Sequence, residues 1–223
     1  MKILAFDSAT EYCSTALWLD GEVLQRTIHA GQTHSQCLLP QCQSVLAEAG
    51  LRLVDLDGIA FGMGPGSFTG LRIACAVAQG LAFAADLSVV GVNSLQALAA
   101  ASGADKVIAC LDARMGEVYH AAYQRTQDDW QVVSAALVCK PQSAPLLEGS
   151  GWIGCGSGFA AYAALLTAHY GTALVSVAAD VYPSAQHIAA LAVQQFGLGM
   201  GVAPEFAAPL YIRDKVALKI AER

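Results

Sequence analysis

An apolar run at residues 2–6 stops at Asp7, which predicts a buried strand ending at that aspartate. Alternating runs at 14–19 and 22–29 flank Asp20-Gly21 and predict a hairpin, because an Asp-Gly pair supplies the positive φ angles of a tight turn. From 34 to 49, Leu38, Cys42, Val45 and Ala49, with Leu39 and Leu46, recur at three- and four-residue spacing, so this stretch reads as an amphipathic helix. Pro40 is expected to end its first turn or kink it. A buried strand at 58–61, a second helix and a short strand at 88–92 follow. The order then repeats. A strand at 106–111 stops at Asp112, runs at 117–124 and 130–138 form a hairpin around Asp128-Asp129, and 152–154 is short and buried, with helices at 159–170 and 184–196.

Setting ILAFDSATEYCSTALWL beside VIACLDARMGEVYHAAY shows the same strand, terminal aspartate and second strand in both places. Three strands before each helical section is not a Rossmann plan. It predicts an α/β chain of two tandem ribonuclease H-like halves, 1–100 and 101–223, joined near 101–105: the architecture of sugar kinases, Hsp70 and actin. There, nucleotide phosphates lie between the halves, held by the first hairpins. Asp7 and Thr10 of DSAT, and Asp112, occupy those places; an aspartate could organise magnesium through water and a threonine could donate to a phosphate. Alternatively each aspartate only caps its turn by accepting backbone N–H bonds. The adenosine-binding parts are not recognisable, so these residues are at most a vestigial nucleotide site.

The stretch FGMGPGSFTGLRIACAVAQGLAFAA, residues 61–85, is glycine-rich before a helix, yet it lacks the Gly-Lys-Ser/Thr of a Walker loop, and Thr69 stands where a dinucleotide loop needs its third glycine. Pro65 restricts the loop, Gly64 and Gly66 let it turn, and Ser67 or Thr69 can cap the helix. The helix carries Gly70, Ala74, Ala78 and Ala82 at every fourth position, with Ala76, Gly80 and Ala84 beside them, and Leu71, Ile73, Cys75, Val77, Leu81 and Phe83 make it apolar nearly all round. Such a helix is buried on both sides. It is either fully internal or covered by a neighbour.

Composition favours the neighbour. Hydrophobic residues make up 55% of the 223 and charged residues only 13%, against about 25% charged in an ordinary soluble domain. The net charge of −6 works against unaided nucleic-acid binding. The basic residues Arg213, Lys215, Lys219 and Arg223 stand beside Asp214 and Glu222 and read as a solvated tail helix. Seven cysteines form no C-x-x-C pair and suit a small-residue core in a reducing cytoplasm. The opening apolar run is too short for a signal peptide, and glycines, serines and His169 interrupt the uncharged stretch 149–179, so no membrane association is expected. His29 and His34 are five apart across a strand-to-helix join and the other histidines stand singly, so no metal site and no cofactor are expected. No serine lies in G-x-S-x-G, which leaves a peptidase reading without support.

Together DSAT, HSQCLLP at 34–40, GMGPGSFTGLRIA at 62–74, LDARMGEVYHAAY at 111–123 and APLYIRDKVA at 208–217 resemble the bacterial TsaB (YeaZ) family over residues 1 to about 217. The resemblance implies a noncatalytic subunit for making threonylcarbamoyladenosine in tRNA, partnered by the related transferase TsaD and the ATPase TsaE. It further implies a docking surface for TsaD on the HSQCLLP helix and the helix after GPGSFTG, here Leu38, Leu39, Cys42, Leu71, Arg72, Cys75 and Gln79. A homodimer through that surface is expected when the chain is alone, with tRNA met only through the complex. Gln36 and Ala74 replace the family's usual glutamate and glycine, and Gly154-Cys-Gly156 replaces Gly-Asp-Gly. An independent phosphotransferase of the actin-like plan is the alternative.

Overall fold

A computed structural model of the chain describes residues 1–127 and 129–213. Two five-stranded sheets carry the fold. In the first, β1 (Lys2–Asp7), β2 (Tyr12–Leu19) and β3 (Glu22–His29) form an antiparallel meander, and β4 (Gly58–Gly64) and β5 (Val89–Asn93) extend it in parallel beyond β1. In the second, β6 (Lys106–Arg114), β7 (Glu117–Arg125) and β8 (Trp130–Cys139) repeat the meander, and β9 (Trp152–Cys155) and β10 (Leu174–Ala178) lie parallel beside β6. The orders β3-β2-β1-β4-β5 and β10-β9-β6-β7-β8 are one plan used twice. The expected pair of ribonuclease H-like sheets is the fold observed.

Five helices cover these sheets: α1 (His34–Glu48), α2 (Phe68–Ala85), α3 (Ser94–Ala101), α4 (Ser157–Tyr170) and α5 (Ala185–Gly197). Because strand side chains alternate between faces, Leu4 and Phe6 of β1 pack outward against Leu38, Cys42 and Val45 of α1 and Ala74 and Ala78 of α2. Their neighbours Ile3 and Ala5, with Val90 and Val92 of β5, pack inward against Ile188, Ala189 and Ala192 of α5. Val107 and Ala109 of β6 meet Leu95, Leu98 and Ala99 of α3, while Ile108 and Cys110 meet Phe159, Leu166 and Tyr170 of α4. The layers therefore run α1/α2, first sheet, α3/α5, second sheet, α4. The late helix α5 covers the early sheet, and the early helix α3 covers the late one. Each half supplies the other with its inner layer.

Sequence patterning missed two short elements. The eight-residue α3 is too brief to show a helical period, although Asn93 caps it by accepting the Leu95 N–H at 2.9 Å. Strand β10 has only five residues. Helix α1 continues through Pro40. Proline removes one N–H, whose intrahelical partner would be the Gln36 carbonyl; both residues are exposed, so water can satisfy that group. Asp128 of the second hairpin turn and the expected tail helix at 214–223 lie outside the described residues.

Helix α2 is 18 residues long with mean hydropathy 1.4, long and apolar enough by length and composition to cross a bilayer. It is instead seated on the first sheet by Gly70, Leu71, Ala74, Cys75, Ala78 and Ala82. Beyond α5 the chain returns as a strap. Val202 bridges Val89, the Ala207 carbonyl accepts from Cys75 Sγ at 3.3 Å and Gln79 Nε2 at 3.0 Å, and the Leu210 N–H donates to Met63 at 2.7 Å. Arg213 then pairs with Glu117 of the second half, so the strap joins both halves.

Candidate functional site

The glycine-rich loop cradles backbone, not phosphate. Ser67 N donates to the Ala9 carbonyl at 2.7 Å, and Ser8 Oγ donates to the Gly70 carbonyl at 2.8 Å. A Cβ on Gly70 would lie 1.8 Å from the Ser8 oxygen, and one on Gly66 would lie 2.5 Å from that of Ala9. Glycine is required because GPGSFTG and DSAT meet main chain to main chain. Ser67 caps α2 by accepting from Gly70 N at 3.3 Å.

This contact seals the first of the phosphate positions. Asp7 is 1% exposed, accepts from Ala9 N at 2.9 Å and lies 3.5 Å from Ser94 Oγ. Gly62 gives it room, since a Cβ there would overlap its carboxylate. Burial without a cation pushes its pKa up to about 7, against the lowering effect of the Ala9 and Ser94 hydrogen bonds. Asp7 therefore belongs to the layer between the sheets.

Thr10 and Asp112 do reach a common cleft of about 1240 Å³ between the halves, and Asp7 does not line it. Both already have local partners. Thr10 Oγ1 accepts from Tyr12 N at 3.3 Å; Asp112 accepts from Arg114 N at 2.8 Å, from Arg114 Nη1 at 3.0 Å and from the Tyr162 hydroxyl at 3.3 Å. This is the turn-capping alternative in both cases. The cleft also receives Phe68 and Arg72 of α2 and Tyr211 and Arg213 of the strap.

The docking residues expected on α1 and α2 divide into two groups. Leu38, Cys42, Leu71 and Cys75 are buried at 0%, 1%, 2% and 6% exposure, inside this chain's own core. The expectation that they form a surface is corrected: the inward stripe of each helix meets the first sheet. Burial also pushes the Cys42 thiol up to about 12 and raises that of Cys75, as expected of core thiols. Leu39 at 41% exposure, the exposed Arg72 and the half-buried Gln79 remain on or beside the outer face. Sequence reasoning missed Phe83, 79% exposed, and Phe206 of the strap, 73% exposed. Residues opposite the Ala74-Ala78-Ala82 stripe on a helical wheel are Ala76, Gly80 and Phe83, so spacing held that signal. With Pro204 and Glu205 these residues form a shallow cup of about 740 Å³. Nothing of this chain lies within 4 Å of a Cβ built on Gly80.

Ser184 Oγ lies 2.7 Å from His187 Nδ1, but the two share the start of α5, away from the cleft. Among the described residues no group of three His, Cys, Asp or Glu side chains is placed to hold a metal.

The family model for TsaD, tRNA N6-adenosine threonylcarbamoyltransferase, matches residues 27–221. The tRNA threonylcarbamoyladenosine biosynthesis protein TsaB of Escherichia coli (strain K12) is 40% identical over 98% of this chain and 97% of its own length. The protein of that name from Haemophilus influenzae is 34% identical over 98% and 96%. The structure of YeaZ from Pseudomonas aeruginosa superposes with a TM-score of 0.87 at 37% identity, covering 94% of this chain and 99% of that one. Sequence and fold agree over nearly the whole length: the chain belongs to the TsaB (YeaZ) family.

Proposed function

We propose that this chain is a noncatalytic scaffold subunit in the threonylcarbamoyladenosine modification of tRNA, acting in the cytoplasm. It docks a TsaD-like transferase through the outer face of α1 and α2, with a TsaE-like ATPase joining the assembly and tRNA met only there. The observation that carries this reading is the exposed apolar and small-residue face of α2 at Ala76, Gly80 and Phe83, with Leu39 exposed on α1 of the same outermost layer. Leu39, Arg72 and Gln79 are its contacts from the set expected on sequence grounds. Small residues let a second helix approach closely, and bulky apolar neighbours add buried area. The same face supports a homodimer in the absence of the partner.

The halves 1–100 and 101–223 act here as one body, because α3 and α5 are exchanged between their sheets. An independent phosphotransferase is disfavoured by the closure of Asp7 behind Gly62, Ser94 and the glycine-rich loop. Co-purification with a TsaD-like protein, followed by modification of a tRNA transcript with and without this chain, tests the reading. A complex lost in Ala76→Arg with an unchanged melting curve supports it. Saturable ATP turnover by the isolated chain, abolished by Asp112→Ala, overturns it.

A further inference from the structure

The cleft rim holds an assembly that the sealed Asp7 does not use and that shares only Arg72 with the docking face. Arg72 places its guanidinium carbon 3.9 Å from the centre of the Phe68 ring and donates through Nε to the Tyr211 hydroxyl at 3.0 Å. The two rings lie 5.4 Å apart with 36° between their planes. Phe68 is 41% exposed and Tyr211 47%, so α2 and the strap hold a flat, cationic platform half out of the core. Across the cleft stands Arg114, from the turn between β6 and β7. Its side chain is 85% exposed, so although one guanidinium nitrogen pairs with the mostly buried Asp112 at 3.0 Å, its remaining N–H groups can take a second anion.

Among the described residues the cleft is lined by Arg72, Arg114 and Arg213 against Glu11 and Asp112, with Arg213 held by Glu117 and Arg114 by Asp112, so in a chain of net charge −6 the lining is close to neutral and Arg72 is the arginine not engaged by a carboxylate. Volume selects the ligand class. Small-molecule pockets run about 300–1,000 Å³, and a cleft of about 1240 Å³ with both walls open to the rim suits a strand better than a free mononucleotide.

We propose that this rim binds an unpaired nucleotide of an RNA strand, the base stacked on the Phe68–Arg72–Tyr211 platform and the adjoining phosphate held by Arg114. Unpaired bases stack on aromatic rings and arginine planes, and the strand's backbone seeks cations beside them. The inference rests on the reading of this chain as part of an RNA-modifying assembly and names where that RNA would touch it.

The test uses the full chain in complex with a TsaD-like protein and a fluorescein-labelled single-stranded RNA pentamer at 50 mM salt, read by anisotropy. Saturable binding is expected, weakened at least fivefold by Tyr211→Ala, retained by Tyr211→Phe, and weakened in Arg114→Ala with a shallower salt dependence. Circular dichroism confirms that each variant is folded. No saturable binding, or equal binding by all variants, overturns the proposal. Free AMP displacing the pentamer at equal concentration also overturns it, since the site would then recognise a mononucleotide. Tyr211 lies off the outer α2 face, so co-purification with a TsaD-like protein survives Tyr211→Ala, and failure here is separable from failure of the docking reading.

Discussion

Replacing Asp7 by asparagine should make the protein more stable at alkaline pH, although it alters a fully buried polar residue. In the folded chain the Asp7 pKa is raised from 3.8 to about 7, chiefly by burial. A carboxyl that binds its proton more tightly folded than unfolded stabilises the fold below pH 3.8, and that contribution is lost as pH rises through about 7. At 1.36 kcal/mol per unit the loss comes to about 4 kcal/mol above pH 7. Asparagine stays neutral. Its Oδ1 can still accept from Ala9 N, but Ser94 already accepts from Gly64 N at 3.2 Å, so the new amide competes there, at a cost of about 1 kcal/mol. The variant should therefore be about 1 kcal/mol less stable than the parent near pH 3, equal to it near pH 4.5, and about 3 kcal/mol more stable at pH 8. Urea unfolding of both proteins from pH 3 to 9 measures this. The buried His120, whose pKa is lowered to about 4, and the partly buried His187 titrate in both proteins and cancel in the difference. A variant destabilised by the same amount at every pH would refute the reasoning, because Asp7 would then carry the same charge folded and unfolded.

Five further substitutions test the packing. Leu38→Glu should fail to fold, since Leu38 is 0% exposed, whereas Leu39→Glu should melt like the parent and weaken partner docking at least tenfold; thermal melting and co-purification separate the two. Gly70→Ala should destabilise by about 3 kcal/mol in urea, because its Cβ meets the Ser8 main-chain oxygen, which cannot swing aside. Gly80→Ala should stabilise the isolated chain by about 0.5–1 kcal/mol through helix propensity, yet Gly80→Leu should block complex formation in a sedimentation assay, since it fills the open space through which the proposed partner would approach.

What could be read in the sequence followed from periodicity. The alternating meanders of 22–29 and 117–124 are long enough to show period two, and the repeat of strand, aspartate and hairpin exposed the duplicated plan. The exchange of α3 and α5 was not legible, because a helix's period says which of its faces is apolar and not which sheet will meet it. The same limit explains the error at Leu38 and Cys75: the apolar stripe of α1 and α2 was assigned to a partner, whereas the first sheet takes it up. Asp7 was read correctly as a strand-ending aspartate, but its burial depends on Gly62 and Ser94, residues 55 and 87 positions away.

The exchanged helices leave the outer layers as the place for the proposed partner. A lone sheet flanked by its own helices can lose a layer and remain a unit; here, removing either inner helix strips the opposite sheet, so α3 and α5 are committed to holding the halves together. The outermost layers on the two sides are α1/α2 and α4. Helix α4 uses Phe159, Leu166 and Tyr170 inward and exposes Leu165 at 48%, while α2 exposes Phe83 at 79% beside the open space over Gly80. Close helix approach needs a small residue at the crossing and apolar area around it. Both outer layers set small residues beside apolar ones, α4 in Ala161 and Ala164 around Leu165, but α2 exposes the larger side chain in Phe83, and the strap, by taking up Cys75 and Gln79 through the Ala207 carbonyl, holds α2 in the orientation that presents it.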